Sequence, residues 1–247
     1  MSASASIPHN WTRAREKLII ALDFETPQEA WQLVSTLSDR VIFYKIGLEL
    51  AYGGGVQLAG DLIQSGKKVF FDLKLHDIGI TVSRACAQIA RLGADFLTVH
   101  AYPQTMKAAK QAARGAPLRL LAVSVLTSYD DEDLAEAGYA YGVVDLVLRR
   151  AAQARTAGLD GLVLSAHEAK AVRARFGTEL LLVTPGIRPE GKDAAGQKRT
   201  MTPAAAIAAG ADYLVAGRPV TRAEDPCAAA EAILAEMAAT LAIAPSS

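Results

Sequence analysis

The feature that most constrains this chain is a repeated pattern: short, almost continuously apolar runs alternate with amphipathic stretches of helical spacing along nearly its whole length. Eight runs read as strands, at residues 17–23, 41–46, 68–73, 95–100, 118–126, 161–165, 180–184 and 213–216. Runs apolar on both faces suit parallel strands covered by helices. Between them, helical spacing covers 27–37, 56–64, 81–92 and 103–114, then resumes after a polar turn at 127–133 and continues to 157. Further helices start near His167, at Pro203 and near Asp225. Eight strand–helix units, spaced by roughly 30 residues, predict an α/β protein with the single-domain (β/α)8 barrel architecture rather than a doubly wound sheet. The 247 residues suit one barrel, which typically takes roughly 200–250. No glycine-rich dinucleotide fingerprint follows the first run. We expect a flexible tail over 1–16, the barrel over 17–243 and a short flexible tail over 244–247.

Charge narrows the choice of partner. With 26 basic and 26 acidic residues, the chain has no electrostatic footprint for nucleic acid or an anionic membrane, so any anion must be held locally. Cys86 and Cys227 lie far apart outside any CxxC pattern and read as free thiols. The first residues lack the apolar run of a signal peptide, and no stretch nears about 18 uninterrupted apolar residues. The expectation is a soluble, cytoplasmic protein.

The third run is unlike the others. It continues as VFFDLKLHDIGITV over 69–82, placing Asp72, Lys74 and Asp77 within six positions. Strand alternation puts Asp72 and Lys74 on one face, with Phe71 and Leu73 on the other; Asp77 lies past the strand end. Polar residues also close the other runs: Asp23, Lys45, His100, Thr127, Ser128 and Ser165. A barrel directs such strand ends to one mouth, where sites are built. Lys45, Asp72, Lys74 and Asp77 balance formally and would serve either as a structural ion-pair network or as an active site. Burying four charges for stability alone is a poor use of them, since apolar replacements often serve as well. His76 and His100 read as hydrogen-bonded structural histidines. Lysines beside Asp72, His76 and Asp77 argue against a cation there, so no metal site is assigned. Tyr52 with the glycines at 53–55 reads as a turn into a helix.

Two further stretches point to phosphate. Residues 185–202, PGIRPEGKDAAGQKRTMT, exceed the usual connection of about 2–6 residues and follow the seventh strand, where barrels commonly hold phosphate; they read as a lid. Gly217-Arg218 follows the eighth strand, joining an open backbone N–H to a guanidinium.

In order, ALDF (21–24), YKIG (44–47), FDLKLHDI (71–78), LTS (126–128), TPGIRP (184–189), QKR (197–199) and GRPVT (217–221) resemble the orotidine 5'-monophosphate decarboxylase family. The resemblance spans nearly the whole chain. It implies a carboxy-lyase that makes UMP in pyrimidine biosynthesis, with Lys74 as the catalytic lysine and Lys45, Asp72 and Asp77 completing a charged tetrad. It implies that Asp23 and Lys45 hold the ribose and Thr127 lies by the pyrimidine. Arg188, Gln197, Gly217 and Arg218 would hold the phosphate, and Thr81 falls at a substrate-contacting threonine. Family members are homodimers without metal or organic cofactor, and Asp77 and Ile78 would reach the neighbouring subunit's site. Two departures stand out: DIGIT replaces the usual DIPNT at 77–81, exchanging a rigid turn for a looser, more apolar one, and Gly196 replaces an acid. Two rival readings stand beside this one. A magnesium-dependent sugar-phosphate lyase or aldolase of the same barrel superfamily carries an acid in place of Lys45; a non-catalytic phosphate-ligand barrel would bind UMP without turnover.

Overall fold

The structure, a computed structural model, describes residues 9–189 and 200–243. Among these, eight parallel strands close into a barrel in sequence order: β1 (Leu18–Ala21), β2 (Phe43–Ile46), β3 (Lys68–Leu75), β4 (Phe96–His100), β5 (Arg119–Val123), β6 (Gly161–Val163), β7 (Leu181–Thr184) and β8 (Tyr213–Ala216). Closure is made by β1 against β8, with Ile19 opposite Val215. The helices are α1 (His9–Lys17), α2 (Pro27–Leu37), α3 (Leu48–Leu50), α4 (Val56–Gln64), α5 (Gly79–Leu92), α6 (Pro103–Ala112), α7 (Asp131–Glu136), α8 (Val143–Ala157), α9 (Ala166–Phe176), α10 (Pro203–Ala208), α11 (Arg218–Thr221) and α12 (Pro226–Ile243). The (β/α)8 barrel expected from the alternation is the observed fold.

Local chemistry explains the elements that match the expected bounds. Thr26 caps α2, its hydroxyl accepting the Glu29 N–H at 3.3 Å while the Glu29 carboxylate accepts the Thr26 N–H at 3.3 Å, with Pro27 at the first helical position. That reciprocal cap satisfies two orphan donors without any distant residue.

A device repeated three times joins helix to strand. Gly93-Ala94-Asp95, Gly158-Leu159-Asp160 and Gly210-Ala211-Asp212 each begin with a left-handed glycine, φ 84°, 75° and 104°. Each ends with an aspartate that accepts a backbone N–H from the preceding strand: Val69 at 2.9 Å, Leu120 at 2.8 Å and Leu182 at 2.8 Å. Glycine permits the turn, and the carboxylate satisfies a strand-start donor that the ladder leaves open.

The barrel interior divides into an apolar end and a polar end. At the strand N-termini, Phe96 packs on Phe43 at 5.1 Å, Phe70 at 5.8 Å and Tyr213 at 5.0 Å between ring centroids, with the Arg119 guanidinium 4.4 Å from the Phe96 ring. This aromatic layer fills the bottom, so the remaining interior opens only toward the strand C-termini. Further up the same inner face come Lys45 and Asp72.

Several boundaries differ from expectation. Residues 9–16 were expected within a flexible tail, yet α1 is a helix whose Ala14 is fully buried and which packs against α12. β5 ends three residues early because its neighbour β6 pairs only as far as Val163, opposite Val123. β3 runs two residues longer, to Leu75, by pairing again with β4 beyond an irregularity. Tyr52 and Gly53–Gly55 form, as expected, a turn into α4, kinked at Gly54 with φ 103°. No helix among the described residues is long and apolar enough to cross a membrane.

Candidate active site

The strand C-termini surround one cavity of about 270 Å³. Asp23, Lys45, Asp72, Lys74, Thr127, Arg188, Gly217 and Arg218 all line it, over an apolar wall that includes Ala21, Val123, Val163 and Val215. Eight residues expected at the mouth from sequence thus converge. Three other strand-end residues do not. His100 lines a neighbouring cavity with Tyr102, Tyr139 and Arg150. Ser165 is turned away as the N-cap of α9, accepting the His167 N–H at 3.4 Å, because a strand-to-helix junction needs that acceptor. Ser128 is exposed in the turn after Thr127.

The charged groups form a chain. Lys74 Nζ lies 2.9 Å from Asp72 Oδ1; Lys45 Nζ lies 3.4 Å from Asp72 Oδ2 and 3.2 Å from Asp23 Oδ1. Burial alone would lower the Lys45 pKa, but the adjacent Asp72 and Asp23 carboxylates outweigh it and raise the ammonium above its ordinary range. Burial likewise works to raise Asp72, and Lys45, Lys74 and the Thr98 hydrogen bond outweigh it, holding the carboxyl below its usual range. Both groups are therefore charged at neutral pH, each because of the other. Room for this chain comes from Gly47: a Cβ there would sit 3.3 Å from Lys45 Nζ and 3.5 Å from Asp23 Oδ1.

Lys74 itself sits on an irregular backbone. Phe71 pairs with Leu97 and Leu75 with Val99, so three residues of β3 (72–74) stand opposite one of β4, Thr98. Within this bulge Lys74 has φ 48°, a left-handed conformation rare for a residue with a side chain. Bulges next to active sites re-aim side chains.

Asp77, Ile78 and Thr81 do not reach this cavity. All three are exposed, Ile78 to 68%, with Ile80 beside them at 56%. Asp77 Oδ1 accepts the Ile78 N–H at 2.6 Å and makes no ion pair among the described residues of its own chain. The looser turn expected from DIGIT is not observed. α5 begins at Gly79 itself, with Ile78 as its N-cap, so Thr81 lies within the first helical turn. Gly79 occupies the first helical position, where proline is favoured for its fixed φ and missing N–H.

The opposite side of the cavity is cationic. Arg188 is nearly buried and donates to the Ile187 carbonyl at 3.0 Å. Burial first, and the neighbouring Arg218 charge second, push its pKa below the ordinary guanidinium range. Neither arginine has a carboxylate partner among the described residues. The base of the long connection fixes Arg188: its N–H donates to the Met201 carbonyl at 3.0 Å, and the Met201 N–H to Gly186 at 3.3 Å. Two neighbouring guanidiniums without an acidic partner among the described residues suit a dianion. Gln197, and most of the stretch read as a lid, lie outside the described residues.

Sequence reasoning missed Thr98, an unremarked hydroxyl inside an apolar run, and Arg150, whose guanidinium packs over Tyr102 at 5.0 Å and Tyr139 at 5.3 Å. Among the described residues no group of three His, Cys, Asp or Glu side chains is placed to hold a metal ion.

A closed barrel with lysines and carboxylates interleaved at its strand ends, and arginines after strands seven and eight, defines a (β/α)8-barrel enzyme. The model of the orotidine 5'-phosphate decarboxylase / HUMPS family matches residues 16–233, and the chain belongs to this family. Orotidine 5'-phosphate decarboxylase of Afipia carboxidovorans is 63% identical over 227 residues, covering 92% of this chain and 97% of that protein. The enzyme of the same name from Rhodopseudomonas palustris is 60% identical over 225 residues, covering 91% and 95%. The crystal structure of orotidine 5'-phosphate decarboxylase from Lactobacillus acidophilus superimposes with a TM-score of 0.79 at 38% identity, covering 90% of this chain and 98% of that one.

Proposed function

We propose that the chain decarboxylates orotidine 5'-monophosphate to UMP by electrostatic stabilisation and lysine protonation of a C6 carbanion. The observation that carries this reading is the Lys45–Asp72–Lys74 chain sharing one cavity with Arg188 and Arg218, which have no carboxylate partner among the described residues. The arginines, with the open backbone at Gly217, take the 5'-phosphate; Gln197 belongs to the same subsite. Asp23 and Lys45 hold the ribose, and Thr127 lies beside the pyrimidine. These anchors place C6 of the ring at Lys74.

The bond from C6 to the carboxylate breaks, CO2 leaves, and the electron pair stays on C6 in the ring plane, where no adjacent group accepts it. The Lys74 ammonium stabilises that charge and then donates the proton that completes UMP. One preorganised donor is worth about 3–4 kcal/mol, whereas enzymes lower barriers by about 8–23 kcal/mol. The remainder comes from the charges that keep Lys74 aimed, from Asp72 facing the departing carboxylate, and from phosphate binding remote from the reacting carbon. No step requires a metal or organic cofactor.

The site is completed across a homodimer. Asp77 and Ile78 project from one subunit into the other's cavity, which accounts for a carboxylate exposed without an ion pair among the described residues and for the exposed Ile78 and Ile80 beside it. Mixing equal amounts of Lys74→Ala and Asp77→Ala chains tests this. Random pairing should make half the dimers mixed, each with one unaltered site, restoring about a quarter of wild-type activity. No recovery on mixing would exclude a shared site.

Loss of pyrimidine absorbance on incubation with orotidine 5'-monophosphate tests the reaction. Turnover should persist undiminished in a metal chelator. Chelator-sensitive activity would favour the magnesium-dependent sugar-phosphate chemistry, and UMP binding without turnover a non-catalytic barrel.

A further inference from the structure

We infer that Thr98 is a positioning residue for decarboxylation, clamping the β3 bulge so that Asp72 and Lys74 face the reacting centre together. The inference rests on the decarboxylase reading of this cavity and adds to it a residue that touches no substrate.

Regular strand pairing would set one inward residue of β3 against each inward residue of β4. Here Asp72 and Lys74 both serve the site opposite Thr98 alone, as the jump from Phe71–Leu97 to Leu75–Val99 requires. The bulge interrupts the ladder, so the Lys74 N–H turns to a side chain and donates to Thr98 Oγ1 at 2.9 Å. The same hydroxyl donates to Asp72 Oδ1 at 3.0 Å.

These two bonds leave the hydroxyl one arrangement. An amide can only donate and a carboxylate only accept, so the single hydroxyl proton must point to Asp72 and a lone pair to Lys74. Thr98 is fully buried, so no water competes for either bond. A left-handed backbone in a residue with a Cβ persists only where its surroundings over-determine it, and at Lys74, φ 48°, Thr98 is one such restraint. Asp72 Oδ1 also receives Lys74 Nζ at 2.9 Å, while Oδ2 faces Lys45. Thr98 therefore fixes the lysine twice, through its own amide and through the carboxylate that holds its ammonium.

Thr98→Val keeps the shape and removes both bonds. Its kcat should fall about 100-fold, the effect of a shift of about 1 Å at a reacting centre. Affinity for UMP, measured by calorimetry, should stay within about threefold, because the phosphate and ribose anchors are untouched. Thr98→Ser, which keeps the hydroxyl, should restore kcat to within about threefold of wild type. Unchanged kcat in the valine variant, an equal loss of kcat and UMP affinity, or a serine variant as slow as valine would each overturn the inference. Thr98→Ala supplies the same comparison should valine not fold; failure of both to fold would show a scaffold role alone and overturn it too. Wild-type turnover in the same assay separates the two readings. Its absence would sink the decarboxylase assignment, whereas its presence beside a fully active valine variant would sink only the role of Thr98.

Discussion

Replacing Lys74 with alanine is expected to abolish turnover of orotidine 5'-monophosphate while leaving the barrel folded. The proposed mechanism assigns this ammonium two duties, stabilising the C6 carbanion and protonating it. Loss of a preorganised electrostatic donor costs about 10²–10³ in rate and loss of a general acid about 10²–10⁴, so the combined loss should be at least about 10⁴-fold. The fold should tolerate the change. Lys74 lies at the mouth with 29% of its side chain exposed, and Asp72 keeps Lys45 at 3.4 Å when the lysine is gone. Alanine meets the same left-handed backbone at a similar cost, so the thermal midpoint should move little. A folded variant with near-normal kcat would refute the assignment; a variant that does not fold would place Lys74 in the scaffold instead.

Arg218→Ala should cut kcat/KM for the nucleotide by about 10²–10³ and change little for the phosphate-free nucleoside, because charge-assisted hydrogen bonds are worth about 1.5–3 kcal/mol each. The structure adds a stability criterion. Arg218 stands close enough to the nearly buried Arg188 to push its pKa down, behind burial itself, and neither has an acidic partner among the described residues. Removing Arg218 relieves a like-charge contact in the unliganded protein. The empty enzyme should therefore be as stable as wild type or more so, and should lose most of the stabilisation that UMP confers. Equal losses on nucleotide and nucleoside, or a lower thermal midpoint without ligand, would mean that Arg218 supports structure and not phosphate.

The barrel was legible because its signals are local. A parallel strand covered on both faces must be apolar almost throughout, and the caps and prolines that open helices act within a few residues, as at Thr26, Pro27 and Glu29. The polar mouth was legible for a related reason: a lysine or aspartate ending an apolar run is anomalous, and the barrel directs every strand end to the same side. Lys45, Asp72 and Lys74 were named on that basis, Arg218 for the glycine before it after the eighth strand and Arg188 from the family resemblance, and all five line one cavity. Ser165 misled because a hydroxyl at a strand end serves equally well as a helix cap, and the adjacent α9 claimed it. α1 was read as tail because its order rests on α12, more than two hundred residues away.

The sequence by itself determined the number and order of the strands, the face on which chemistry would collect and the residue types gathered there, since these follow from burial and alternation within short segments. Only the tertiary structure decided how Lys74 is held. Closure of β3 against β4 forces three residues opposite Thr98, turns Lys74 to φ 48° and makes one buried hydroxyl serve both the lysine amide and the Asp72 carboxylate. A threonine in an apolar run carries no local mark of that duty, because its two partners lie on a neighbouring strand and are brought to it only by the register of the barrel.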